Sequence, residues 1–266
     1  SDLISAAAIN GLPKAAIDDH ATNVASRSSY HPVKQWLDDG AGWDCVKRMD
    51  MVIDCIPSAD PAFTRMVMKK WLVSCVAALY EKSFSTKLTP ILKGAQSYRK
   101  TTFIRRLASV VDGSYLEGLL LDPSSKDSIS AAIKAWVCEL GEIVQTTKRG
   151  NDGLKAFLTQ NVDTIRLPYD RSETRKPRQT LFVGTVNDSQ FLKDDTGSTR
   201  FAVIEMTGPA DLEKVNQILG WSWSNGRTRQ DRPDALRQFW LEVKALYDNG
   251  AGWALTDNEQ TQASAV

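Results

Sequence analysis

Lys100 and Thr101 are the residues whose type and setting most directly imply chemistry. They sit in the run Gly94, Ala95, Gln96, Ser97, Tyr98, Arg99, Lys100, Thr101, Thr102, which follows an apolar stretch of Leu88, Pro90, Ile91 and Leu92. Strand, loop and a helix opening on Lys-Thr is the layout of a phosphate-binding P-loop. Such a loop aims backbone N–H groups at phosphates, adds the positive end of a helix dipole and supplies a lysine charge. The Thr101 hydroxyl would then serve Mg²⁺. The loop departs from the pattern GxxxxGK[ST], because Arg99 stands where glycine precedes the lysine and Ser97 takes another place where many such loops carry glycine. Positive φ is expected there, at about 1–2 kcal/mol for a non-glycine. Arg99 could add a second cation beside the phosphates, or block them.

Three further features fit the same chemistry. The apolar run Trp136, Val137, Cys138 ends in Glu139, with Glu142 three residues on. A strand ending in carboxylates downstream of a P-loop is what a Walker B element needs: one holds the magnesium shell and another polarises water. Glutamates after a strand are ordinarily just solvated, but their position relative to Lys100 favours the functional reading. LFVGTVN over 181–187 reads as a buried strand whose Asn187 lies where open α/β sheets bind ligands, the alternative being a turn asparagine. Arg200 begins the next strand, as an arginine finger for a neighbouring subunit or as an ordinary salt-bridge residue.

Segment 163–179 is the one locally basic stretch, carrying Arg166, Arg171, Arg175, Lys176 and Arg178 with Tyr169 among them. Its two prolines and Asp-Arg-Ser turn predict a hairpin or extended loop. A charge run of this kind is usually a solvated face; cations around a tyrosine also suit phosphate contact with base stacking.

Composition sets bounds. The 266 residues are 42% hydrophobic with net charge +1, enough for a core and too balanced for a global nucleic-acid field. The four cysteines lack CxxC spacing and only two histidines are present, which disfavours zinc and suits a reduced, cytoplasmic protein. No stretch approaches the roughly 18 apolar residues of a membrane span. The first residue is serine, so a fragment of a longer protein is expected.

Along the chain, residues 1–30 read as short helices, and His31-Pro32 opens a helix that Gly40 to Gly42 ends, with His31 read as a capping or packing residue. Residues 63–80 are the most strongly helical, and 153–160, 212–219 and 235–247 are predicted helices. Beyond Thr207 strand character is lost, Trp221, Trp223 and Trp253 are expected to pack a helical cap, and 256–266 to fray.

With these pieces in order, the chain resembles the virulence-associated protein E family, phage- and island-encoded relatives of the superfamily 3 helicases within the AAA+ ATPases. YHPVKQWLDD, LKAFLTQNVDTIRLPYDR, RQTLFVGTVN, FLKDDTGSTRF and FWLEVKALYDNGAGWALT resemble family blocks in family order. The resemblance implies an α/β P-loop AAA+ fold, an αβα core over 66–206 with a helical amino-terminal region over 1–65 and a helical cap over 207–266. It implies ATP and Mg²⁺ as ligands, assembly as a ring, usually a hexamer, on single-stranded or forked DNA inside a bacterial host, and a primase or polymerase elsewhere in longer relatives.

Position by position, Lys100 and Thr101 match the Walker A lysine and hydroxyl, Glu139 and Glu142 the acidic end of Walker B, Asn187 the sensor asparagine, and Arg200 the second arginine of a Gly-Asn-Arg-Arg-Phe-like block. The stretch from Lys155 to Arg178 falls where superfamily 3 proteins place a DNA-gripping hairpin. Ser97, Arg99 and Thr199 depart from the family pattern. The expected activity is ATP-dependent DNA unwinding or translocation. The alternatives are a P-loop module that no longer turns over ATP and serves as a DNA-binding or oligomerising platform, and a P-loop kinase-like phosphotransferase.

Overall fold

Four strands of the chain bury nearly every residue, the mark of a parallel sheet covered on both faces. They are β1 (Thr89–Lys93), β3 (Val137–Gly141), β6 (Leu181–Val186) and β7 (Phe201–Glu205). With β2 (Tyr115–Leu119) at one edge, they form a five-stranded sheet in the order β2-β3-β6-β1-β7, every pair parallel. This computed structural model describes residues 2–13, 17, 20, 30–141, 151–165, 174–187 and 200–264. Mixed α/β architecture with a parallel central sheet is therefore the fold class.

Period-two alternation sends the two faces of each strand into separate apolar layers. Val137, Val183, Leu92 and Ile204 join the layer of α4 (Pro61–Tyr80), α5 (Lys100–Ala108) and α9 (Pro233–Asp248). Cys138, Leu140, Phe182 and Val203 join the layer of α6 (Lys126–Ala132) and α7 (Asn151–Leu158). Helix α4 is buried on almost all sides, as a central helix between sheet and cap must be. It starts where Asp60 accepts from the Phe63 N–H at 2.9 Å with Pro61 in the first turn. The boundary drawn after residue 65 thus falls inside a continuous helix. Buried indoles donate to backbone carbonyls across layers: Trp71 to Phe182, Trp136 to Cys75 and Trp240 to Leu107, all at 2.8–2.9 Å.

The flanks are joined rather than separate. Helices α1 (Asp2–Ile9), α2 (Pro32–Asp38) and α3 (Met49–Ile53) precede the core. The buried Glu242 of α9 accepts from the Arg48 and Met49 N–H groups, capping α3 with a carboxylate. His31 caps α2 through Nδ1, as its place before proline predicts.

Three expectations for the carboxyl-terminal part are corrected. After α8 (Leu212–Leu219), residues 207–266 do contain strands: β8 (Trp221–Ser224) and β9 (Arg227–Gln230) form a hairpin about an Asn225-Gly226 turn in which both residues have positive φ. Trp223 does not pack the cap; it is 62% exposed, sharing a strand face with the packed Trp221 but lying two residues nearer the Asn225-Gly226 turn. The tail is α10 (Asp257–Ser264), held by Thr256 and Glu259 in a capping box. Among the described residues no helix is long and apolar enough to cross a membrane.

Candidate functional site

The loop over 94–99 links the carboxyl end of β1 to the amino end of α5. Gly94 is required by close approach: a Cβ there would lie 2.7 Å from the Tyr98 ring and 3.1 Å from Met206 Cβ. Ser97 and Arg99 take φ of 72° and 60°, so both glycine-like places are held by side chains in the left-handed region. Gln96, Ser97 and Arg99 are exposed, and Ala95 and Tyr98 are half-buried. Arg99 is the N-cap of α5 but offers no side-chain hydrogen bond. Among the described residues, the first-turn N–H groups of α5 therefore have no side-chain cap, the setting in which a helix start takes an anion. Thr102 lies half-buried in that turn.

Lys100 is only 7% exposed. Its ammonium donates to the Gly94 carbonyl at 2.6 Å, the Ala95 carbonyl at 2.9 Å and Asn187 Oδ1 at 3.2 Å. Asn187 follows β6 directly and is exposed, so the loop lysine and the strand-end amide meet at the carboxyl edge of the sheet. That edge is where parallel α/β sheets bind ligands.

Glu139 lies in the middle of β3 rather than at its end, opposite Val183, and is 1% exposed. The terminal placement expected from sequence is corrected: the strand runs on through Leu140 to Gly141. Sharing a face with Val137, the carboxylate points into the layer of α5. There Oε1 accepts from Thr101 Oγ1 at 2.6 Å and Thr185 Oγ1 at 2.7 Å, and Oε2 accepts from the Tyr115 hydroxyl. Burial, and then the adjoining carboxylate, push the Tyr115 phenol far above its ordinary range. Among the described residues Glu139 forms no salt bridge, and the groups that hydrogen-bond to it are three hydroxyls. The sequence reading did not single out Thr185 or Tyr115. Thr185 could have been noticed as the polar residue in LFVGTVN; nothing in the sequence around Tyr115 marks it.

The donor set suits magnesium more than a metal held by protein alone. One carboxylate and one hydroxyl leave most of an octahedral shell to water and phosphate oxygens. Among the described residues, no group of three or more His, Cys, Asp or Glu could hold a metal ion.

Arg200 lies elsewhere. Its backbone carbonyl accepts from the Thr89 N–H at the amino ends of β7 and β1, a strand length or roughly 15 Å from the loop. Its Nε is buried without a hydrogen-bond partner among the described residues. Glu142 lies outside the described residues, as do Arg166, Tyr169 and Arg171.

The basic segment does form a hairpin, β4 (Val162–Ile165) with β5 (Thr174–Pro177), rooted beside the amino ends of β3 and β6. Its cations divide by location. Arg175 is exposed. Lys176 is half-buried and donates to the Ile133 carbonyl at 2.8 Å, and burial lowers its pKa. Arg178 is interior: it pairs with Asp163 at 2.6 Å, with side-chain exposures of 2% and 1%, and lies over the rings of Phe157 and Phe182. Lys155 is also buried. Arg178 and Lys155 are therefore buried residues rather than part of an exposed basic face.

Fold and site together define a parallel α/β protein with a lysine-bearing loop and a buried carboxylate converging at the carboxyl edge of its sheet. The sequence model of the virulence-associated protein E-like domain matches residues 37–266, and the chain belongs to that family. Similar solved structures include the A form apo structure of the NrS-1 C terminal region, with TM-score 0.53 and 14% identity over 90% of this chain and 54% of that one. A second apo structure of that region gives 0.51 and 13% over 90% and 55%. At this identity the likeness is one of fold, and the chain spans about half the length of those structures. No curated protein matches it by sequence.

Proposed function

We propose that the chain is the ATPase domain of a DNA helicase or translocase, with a P-loop AAA+ core of the superfamily 3 type, from a phage or mobile-element replication protein. The observation that carries this reading is the meeting of Lys100 with Asn187 and of its neighbour Thr101 with Glu139, bringing three separate stretches of the sequence together toward one end of the sheet. Loop and helix-start N–H groups would receive the phosphates, with Lys100 leaving its carbonyl partners for the β- and γ-phosphate oxygens. Thr101 and Glu139 would hold Mg²⁺, which when bound neutralises charge developing on the transferred phosphoryl group. Glu142 would polarise the attacking water and Asn187 would orient it. Arg200, at the opposite end of the sheet from its own loop, would act as an arginine finger in the neighbouring protomer's site, with hydrolysis at the interfaces of a ring, hexameric in the family pattern. Hydrolysis would then move the β4–β5 hairpin against DNA, inside a bacterial host cell.

A second reading has its own observation. Ser97 and Arg99 hold left-handed backbone without glycine, which fits a loop that no longer turns over nucleotide, in a domain serving as a DNA-binding or oligomerising platform. Steady-state ATPase measurements with and without single-stranded DNA separate the two. Turnover stimulated by DNA and abolished by Lys100→Ala is expected; full turnover in Lys100→Ala overturns the ATPase reading. Calorimetric silence toward ATP with Mg²⁺ selects the platform.

A further inference from the structure

We infer that Tyr115 is a positioning residue for Glu139: its hydroxyl fixes one carboxylate oxygen so that the other stays turned toward Thr101 and the metal ion of a bound nucleotide. This rests on the ATP-binding reading above and adds to it a residue from the edge strand β2.

The geometry begins with the sheet. Strand β3 is flanked by β2 and β6, with Tyr115 opposite Val137 and Thr185 opposite Gly141. Val137, Glu139 and Gly141 share one face by alternation, so Tyr115 and Thr185 are the diagonal neighbours of Glu139 from its two sides. A tyrosine spans such a diagonal; a threonine does so because its hydroxyl and the carboxylate lean together. Thr101 closes the set from α5 above the sheet.

Three hydroxyls from three elements therefore fill three of the roughly four acceptor positions of a carboxylate. Hydroxyl donors satisfy hydrogen bonding without cancelling charge. They leave a buried carboxylate whose direction is fixed and which forms no salt bridge among the described residues. Because Thr101 spends its hydrogen on Glu139, its oxygen lone pairs remain for a cation. Tyr115 alone holds Oε2. Without it that oxygen has no described donor, and the carboxylate can rotate away from Thr101. The Arg105–Glu117 ion pair ties β2 to α5 just beyond, keeping the phenol in place. An outer hydroxyl that orients a carboxylate ligand in this way tunes metal affinity without touching the metal.

The test uses the full chain and reads Mn²⁺ binding in the presence of ATP by electron paramagnetic resonance, with ATP binding in EDTA and thermal melting alongside. Tyr115→Phe is expected to weaken Mn²⁺ binding by about 10–100-fold, with metal-free ATP affinity and the melting transition unchanged. Placed in a Glu139→Gln background, the same substitution should add nothing further, because its effect passes through that carboxylate. Wild-type Mn²⁺ affinity in Tyr115→Phe, with Glu139→Gln losing it, overturns this inference and leaves the ATP reading standing. Equal Mn²⁺ binding by Glu139→Gln and the unsubstituted chain overturns both. A Tyr115→Phe chain that loses its melting transition, or weakens metal-free ATP binding equally, makes the residue structural and also overturns the inference.

Discussion

Thr101 and Glu139 are 38 residues apart in the chain, and their side chains meet at 2.6 Å. The first residue opens a helix behind the lysine loop and the second sits mid-strand two positions across the sheet. Their contact is what turns a loop of irregular sequence into a site with both an ammonium and a carboxylate.

Arg99 holds φ 60° with no side-chain capping bond. Arg99→Gly relieves the left-handed strain while adding disorder to the unfolded chain, for a net gain of about 0.5–1 kcal/mol. Urea unfolding checks this; a loss of stability would show that the arginine side chain contributes more than its backbone costs. Stronger ATP binding in the same variant would identify Arg99 as the obstacle in the loop.

The Arg178–Asp163 pair is interior, at side-chain exposures of 2% and 1%. Asp163→Ala strands a buried guanidinium and should cost about 3–5 kcal/mol. Asp163→Leu combined with Arg178→Met should recover most of that, because the apolar pair desolvates nothing. A double variant no better than the single would mean the ions also specify the hairpin's seating.

His31 has its pKa lowered from 6.5 to about 4, first by burial and then by Lys176 and Lys34. Its Nδ1 caps α2 and can accept only while unprotonated. The unfolded chain takes up this proton at higher pH than the folded one, so stability is fully present above pH 6.5 and declines as pH falls toward 4. Partial solvent access reduces the loss to on the order of 1–2 kcal/mol. Denaturation at neutral and mildly acidic pH should show this slope, and His31→Gln should remove its share.

For DNA, exposure singles out Arg175 among the described hairpin cations, and Arg171, outside the described residues, stands four positions before it in sequence. Replacing both with alanine should lower affinity and reduce the slope of log affinity against log salt by about two. An unchanged slope would take the β4–β5 hairpin out of the DNA interface.

Much of this architecture is legible in the sequence because it is local. Apolar runs such as PILK and LFVGTV, the Gly94-to-Lys100 spacing and the periodicity of α4 each carry their own signal. Asn225-Gly226 between alternating Trp and Ser, and Thr256 followed three residues on by Glu259, are equally local signals, for β8–β9 and α10. What the sequence hid is pairing between distant positions. Arg178 and Lys155 look like surface charges until Asp163 and the flanking rings are folded around the first of them. Tyr115 acquires its meaning only when β2 is laid beside β3, 24 residues from the carboxylate it contacts.

One strand now has a thermodynamic consequence. Within β6 and the residue after it, Phe182 lies under the Arg178 guanidinium at the hairpin root, Thr185 reaches Glu139 and Asn187 reaches Lys100. Two ligands that both shift this rod cannot bind independently, and linkage makes their influence mutual. On the proposed reading, whatever factor a nucleotide imposed on the hairpin's affinity for DNA, an occupied hairpin would impose in equal measure on the nucleotide.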